Sequence, residues 1–441
     1  MKLEVRKSFL AITVLYGIIF VSLSYWQLCA DLKNHPANPR YYQMFQEDRG
    51  VIYDRKGIPL AISAADSEGE FYARSYAATS VSHVVGYFHQ RYGMTGLERL
   101  YHEDLSLGRS LLTTLDLEIQ NMAAQALEGL QGAVVVMKPA TGEILALVSS
   151  PGIDGSALDA NWSDYLGDAR SPFLNRATHG LYPPGSILKP VVYGAALREQ
   201  LVERSELWQD QGSLVLQNRV ISNAGGRAHG TITTDRALAV SSNVVFAQLA
   251  ISLGERLLDE FRSVGLGAVV PFDLQNLRGN CPANIHSDYD AAQMGIGQGE
   301  LLVTPLQMAV IASTIANDGV MVKPFVVQEV RGGLRLRQIT RPQEITRVWP
   351  ASIGTDLREA MVLAATEGTA QSKLAAPLAY GGKTGTAQIA QGHDHAWFIG
   401  FAPTKRPEVA IAVLIEHGGS GSQVAVPIGT RLLAAALGID Q

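Results

Sequence analysis

Apolar positions along the chain form one long uncharged run, then short apolar runs of strand length in two places, with helical-period segments between. Phe9 to Ala30 carries no charge over 22 residues, long enough for a bilayer-spanning helix. Ile119, Met122, Ala123 and Leu127 recur at helical spacing behind Thr113-Thr114-Leu115-Asp116, which predicts an amphipathic helix over 116–128. Ala133–Met137, a turn at Pro139-Ala140-Thr141-Gly142, and Glu143–Val148 read as a buried hairpin. Near the end, Tyr380–Ala390, His395–Ala402 and Val409–Glu416 read as three strands, and Val424–Leu437 as an apolar helix.

The remaining segments have a weaker pattern. Residues 31–40 are polar and read as a linker. Arg49 to Ala61 reads as strand, turn and strand in a salt-bridged subdomain, and Gly96–Tyr101 as a brief helix. Residues 151–180 are loop-like, and a helix is expected to open near Ser186 after Pro183-Pro184-Gly185. From 186 to 320 the chain reads as mostly helical, including Val244–Leu258 and Pro305–Ala316, with Gly295–Gly299 a flexible loop. Residues 321–349 read as strands of a small insertion.

These elements predict an α/β (α+β) fold. A five-stranded, mainly antiparallel sheet is built from the 133–148 hairpin and the three late strands. The 116–128 and terminal helices cover one face, and the Ser186 helix with its neighbours covers the other. The expected organisation is a cytoplasmic N-terminus (1–8), a transmembrane anchor (9–30), a short pedestal (31–110) and a catalytic domain (111–441). Lys2, Arg6 and Lys7 precede the anchor, which predicts a cytoplasmic N-terminus with the rest outside. A cleaved signal peptide fits less well: the run is long, and Leu28-Cys29-Ala30 is a poor cleavage site.

Composition narrows the function. Charged residues make up 17% and hydrophobic ones 47%, as in a folded chain with a large core. A net charge of -5 offers no basic face, so nucleic acid is not an expected partner. Two cysteines, one in the apolar run, do not make a disulfide scaffold.

Candidate chemistry starts at Ser186 and Lys189, three residues apart and so on one helix face. A hydroxyl and a buried amine placed that way can act as nucleophile and base. Taken singly, S-x-x-K is near chance, and its plain alternative is a serine cap beside an exposed lysine. Two more stretches change that: Ser241-Ser242-Asn243 lies 55 residues on (241 minus 186), and Lys383-Thr384-Gly385-Thr386 lies 142 beyond it (383 minus 241). S-x-N alone suits a helix cap, and K-T-G alone a strand end. Together, in this order, they are the motif set of penicillin-interacting serine enzymes.

Other features carry less. His393-x-His395 sits between two strands without an evident third ligand, so no metal is expected. Glu255 and Glu260 fall on an amphipathic helix, which speaks against a deacylating glutamate. The lone G-x-G at 297–299 opens no βαβ unit and does not indicate a nucleotide.

The chain resembles the class B, monofunctional penicillin-binding proteins, which are peptidoglycan D,D-transpeptidases. The likeness extends through Arg49-Gly50, Gly96-Leu97-Glu98, Tyr182–Ser186, Gly297-Gln298-Gly299, Thr304–Gln307, Glu367–Ala370 and Trp397–Pro403. It implies a β-lactamase/transpeptidase-like domain and no cofactor. It assigns Ser186 as the nucleophile toward a D-Ala-D-Ala stem peptide, Lys189 as its base, Ser241 as the relay of a proton to the departing D-alanine, and Lys383 as the charge that keeps the local field positive and depresses the Lys189 pKa. Asn243, Thr384, Gly385 and Thr386 would bind substrate. It implies an amine acceptor from a neighbouring stem, acylation by β-lactams, a place in the bacterial inner membrane, and a multispanning lipid II polymerase as partner. Two other classes compete: a D,D-carboxypeptidase or β-lactamase-type hydrolase on the same fold, and a non-catalytic β-lactam sensor or scaffold. The short segment before the anchor disfavours a sensor.

Overall fold

The computed structural model describes residues 2–28, 47–65, 72–216, 218–332, 335–372, 378–389 and 392–439. Cys29 and Ala30 at the end of the apolar run, the 31–40 linker, residues 66–71 and Ala390 lie outside the described residues.

The apolar run is one helix, Lys2–Leu28. Its span Val5–Gln27 is long and apolar enough to cross a membrane, and none of it is buried against protein. At 1.5 Å per residue it rises roughly 40 Å, more than the ~30 Å hydrocarbon core of a bilayer.

The central sheet has the strand order Gly381–Ala387, His395–Ala402, Val409–Ile415, Gly132–Met137, Ile144–Ser150, and every neighbouring pair is antiparallel. Successive residues of each strand serve opposite faces. Trp397, Ile399, Ala412 and Leu414 join one apolar cluster, while Phe398, Ile411 and Val413 join the other. All residues of the two middle strands His395–Ala402 and Val409–Ile415 are buried. Such strands read as continuous apolar runs because both faces are covered.

Leu117–Ala126, capped by the Asp116 carboxylate, and Ala425–Ala436 pack together on one face, as expected. The other face departs from expectation. Pro305–Ala316 lies directly on the strands and is buried at every position. A helix that is apolar all round belongs between two layers. Lys189–Arg198 stands outside it, against Asn243–Leu253 and Ala351–Glu367.

Two further expectations need correction. The 186–320 segment is interrupted by hairpins: Leu207–Asp210 pairs with Gly230–Thr233, and Ser213–Leu216 with Arg219–Ser222. The strands expected as a separate insertion partly join the pedestal. Its six-stranded sheet runs Arg335–Ile339, Val327–Gly332, Ser110–Thr113, Ile52–Tyr53, Pro59–Ala65, Tyr72–Tyr76. Val327 and Val330 are buried opposite Thr113 and Leu111, so this sheet draws on both sides of residue 110. Alternation tells which face of a strand is apolar, not which strand it will meet. The salt-bridged core of the pedestal is present. Arg49 Nε and Arg74 Nε flank the buried Glu98 carboxylate at 2.7 and 2.6 Å.

Candidate active site

The stretch before Ser186 is tied down on both sides. Tyr182 exchanges backbone hydrogen bonds with Val303 at 3.0 and 2.9 Å, and the Gly185 N–H donates to the Gly297 carbonyl at 2.8 Å. Trp397 Nε1 donates to the Pro183 carbonyl at 3.0 Å. The Tyr182 hydroxyl donates to Glu416 at 2.6 Å, and Arg176 holds the same carboxylate at 3.0 Å. Ser186 then enters a 3-10 turn, Gly185–Leu188, and the α-helix begins only at Lys189. The expected one-face relation of Ser186 and Lys189 survives this change, because residues i and i+3 eclipse in a 3-10 turn. The turn itself packs on the edge strand that carries Lys383.

Lys189 and Lys383 are both fully buried. Lys189 Nζ donates to the Ser241 carbonyl at 2.7 Å and to Asn243 Oδ1 at 2.7 Å, and lies 3.2 Å from Ser241 Oγ. Lys383 Nζ lies 2.8 Å from the same hydroxyl and donates to the Thr384 carbonyl at 2.9 Å. One hydroxyl thus sits between two amines. Its own proton finds an acceptor there only when one amine is neutral, since an ammonium has no lone pair. Burial favours that condition. It pushes Lys189 well below the usual lysine range, with the Lys383 charge acting the same way and Asp210 opposing. Burial also brings Lys383 down to about 7. Among the described residues, the hydrogen bonds of the Lys189 amine go to Ser241 and Asn243, and none goes to Ser186.

Ser241 has φ 61, a left-handed conformation in a residue with a side chain. Such geometry costs about 1–2 kcal/mol and persists only where its surroundings impose it. The imposing groups escaped the sequence reading. Asp210 and Asn223 are buried behind the Ser241-Ser242-Asn243 turn, and no local pattern distinguishes them from ordinary turn residues. Thr369, on the other side of the cleft, escaped it too: Thr384 Oγ1 donates to its hydroxyl at 2.7 Å. It lies in Glu367–Ala370, a stretch singled out above without an assigned role.

These groups meet at a cleft of about 620 Å3, lined by Ser186, Ser241, Asn243, Thr369, Thr384 and Thr386. Gly385 instead faces the nucleophile turn. A Cβ there would stand 3.0 Å from Ile187 Cγ2 and 3.1 Å from the Pro184 carbonyl oxygen. A second cavity, about 640 Å3 between Tyr87, Trp162, Phe173 and Asp273, contains none of the candidate residues. His395 accepts the His417 backbone N–H at 3.1 Å. Glu260 pairs with Arg198 at 2.7 Å and accepts the Trp349 indole N–H. Among the described residues there is no cluster of three or more metal-ligating side chains.

Comparison with known proteins points one way. A family described as penicillin binding protein transpeptidase domain matches residues 132–434, and one described as penicillin binding protein A dimerisation domain matches residues 49–126. The peptidoglycan D,D-transpeptidase PbpA of Mycolicibacterium smegmatis is 32% identical, over 99% of each chain. The peptidoglycan D,D-transpeptidase MrdA of Escherichia coli K12 is 30% identical over 72% of this chain and 56% of its own length. Among solved structures, a ceftriaxone acyl-enzyme complex of penicillin-binding protein A from M. tuberculosis superposes with a TM-score of 0.85. It is 31% identical and covers 90% of this chain and 99% of that one.

Proposed function

The chain belongs to the penicillin-binding protein transpeptidase family, and from that premise we propose that it is a serine D,D-transpeptidase that cross-links peptidoglycan stem peptides and is acylated by β-lactams. Ser186 Oγ attacks the carbonyl of the penultimate D-alanine of a donor stem. The peptide bond breaks, an ester to Ser186 forms, and the terminal D-alanine leaves with the proton as a free amine. An amine of a neighbouring stem then attacks the ester, forms the cross-link and returns a proton to Ser186.

Lys189, whose proton affinity burial lowers, takes the Ser186 proton when neutral. Ser241 relays a proton to the departing amine, and Lys383 supports that hydroxyl and keeps the local field positive. The backbone N–H groups of Ser186 and Thr386 stabilise the oxyanion. Thr384 and Thr386 hold the terminal carboxylate, and Asn243 orients the donor amide. The donor lies along the 383–388 edge as an added strand, and Gly385 permits the close packing of that edge on the Ser186 turn.

The observation that carries this reading is the Ser241 hydroxyl between two buried amines at 3.2 and 2.8 Å, in a cleft that also holds Ser186. The test is labelling with a fluorescent penicillin followed by mapping of the modified residue. Label on Ser186 that persists for many minutes, and its loss in Ser186→Ala, is the expected result. Release within seconds would favour the hydrolase reading, and label elsewhere would overturn the assignment.

The Lys2–Leu28 helix is read as a single-pass anchor in the bacterial cytoplasmic membrane, with 1–8 inside, 9–30 spanning, 31–110 a pedestal and 111–441 the extracytoplasmic catalytic domain. Lys2, Arg6 and Lys7 on its N-terminal side support that orientation. A multispanning lipid II polymerase is the partner suited to the anchor and pedestal. Protease added to spheroplasts should digest the catalytic domain; full protection would refute the orientation.

A further inference from the structure

Asp210 ends the strand Leu207–Asp210 and is 1% exposed. Among the described residues no lysine or arginine pairs with its carboxylate. Its partners are neutral. It accepts from Ser242 Oγ at 2.7 Å, from Asn223 Nδ2 at 2.8 and 2.9 Å, and from the Gly212 N–H at 2.9 Å. Asn223 passes the hold onward: its Oδ1 accepts the Asn243 N–H at 2.7 Å and the Val244 N–H at 3.2 Å. Ser242 Oγ also accepts the Val245 N–H at 3.1 Å, so Asp210 braces the cap of the helix Asn243–Leu253. Both arms of the brace end on the residues that follow Ser241.

We propose that Asp210 is a positioning residue for acyl transfer, holding Ser242 and Asn223 so that Ser241 keeps its left-handed backbone and presents both its carbonyl and its hydroxyl to Lys189. The proposal rests on the reading of Lys189 as the base. A neutral brace would satisfy the same geometry, yet a buried carboxylate without a cationic partner is costly to maintain. Its charge acts on Lys189 against that of Lys383. The charged and titratable groups facing this corner besides Lys189 are Lys383 from the edge strand, Asp210 from its strand, and His229, whose backbone N–H donates to the Asp210 carbonyl at 3.1 Å, with Arg227 and Arg236 acting on that histidine. Asp210 thus sets how far the Lys189 proton affinity falls, besides fixing where its partner stands.

The test is the rate of penicillin acylation against pH for the full chain and for Asp210→Asn, with Ser242→Ala as a second variant. Loss of one arm of a buried, charge-assisted hydrogen-bond pair is expected to slow acylation about tenfold in Asp210→Asn. The acid limb of the profile moves to lower pH, because the charge that favoured protonated Lys189 is gone. Ser242→Ala removes two hydrogen bonds, the one given to Asp210 and the one taken from Val245, and keeps the charge, so it slows acylation and leaves the limb in place. An unmoved limb in Asp210→Asn overturns the effect of Asp210 on the Lys189 proton affinity, since a merely structural brace slows the reaction alike at every pH, and an unchanged rate overturns the bracing. If Asp210→Asn does not fold, a shifted limb in Ser242→Ala overturns it. Failure of the transpeptidase reading is separately visible, as undiminished labelling of Ser186→Ala.

Discussion

Gly297→Ala tests whether the loop after residue 295 holds Ser186, the proposed nucleophile, in place. Gly297 has φ 73, and a Cβ on it would fall 2.0 Å from the Gly185 carbonyl oxygen and 2.8 Å from the Gly185 nitrogen. Those atoms are backbone, so the overlap is relieved only by moving the residue next to Ser186. Left-handed strain on alanine costs about 1 kcal/mol, and the displaced Gly185-to-Gly297 hydrogen bond about another. A displacement on the order of 1 Å at a reacting group slows reactions about a hundredfold. Gly299→Ala is the internal control. Gly299 has φ 79, but its added Cβ meets only Gln293 Cβ at 3.8 Å. The two variants share the backbone strain and differ in the collision. Both are assayed by thermal unfolding and by the second-order rate of penicillin acylation. Gly297→Ala should lose roughly a hundredfold in rate and Gly299→Ala less than roughly fivefold. Equal rates for the two variants would refute the reasoning.

Two further outcomes are expected. Glu98→Gln leaves the buried Arg49 and Arg74 guanidiniums without a counter-charge and should cost about 3–5 kcal/mol in urea unfolding. Its acylation rate per folded molecule should stay within roughly twofold, because Glu98 lies in the pedestal, away from the cleft. Lys383 has a folded pKa of about 7, below its unfolded value of 10.5. Between those values the unfolded state binds more protons, so the stability of the wild type should rise with pH there and fall on acidification toward 7. Relative to Lys383→Met, it should gain roughly 2 kcal/mol between about pH 7.5 and 9.5; parallel profiles would contradict a buried amine with a lowered proton affinity.

Much was legible before any coordinates. Pro305–Ala316 and His395–Ala402 have the expected bounds, and the remaining sheet strands lie within a few residues of theirs. Period and burial leave a direct trace in residue order: alternation marks a two-faced strand, and an uncharged run marks a helix able to lie in lipid. The three motif stretches were visible for a similar reason, since each is a short local pattern. The brief hairpins of 207–233 escaped because exposed Leu207, Val215 and Val220 blur their alternation.

What residue order determined by itself was therefore the identity of the central-sheet strands and their covering helices, the apolar N-terminal run and the three stretches with chemistry. Tertiary structure decided their partners. It placed the strand with Lys383 at the sheet edge beside the Ser186 turn, with its amine 2.8 Å from Ser241 across 142 residues of chain. It drew Val327–Gly332 into the pedestal sheet, and it set Asp210 and Asn223 behind Ser241. The physical reason is the same each time. A polar or charged side chain leaves no periodic trace, and its meaning depends on which distant group meets it where water is excluded.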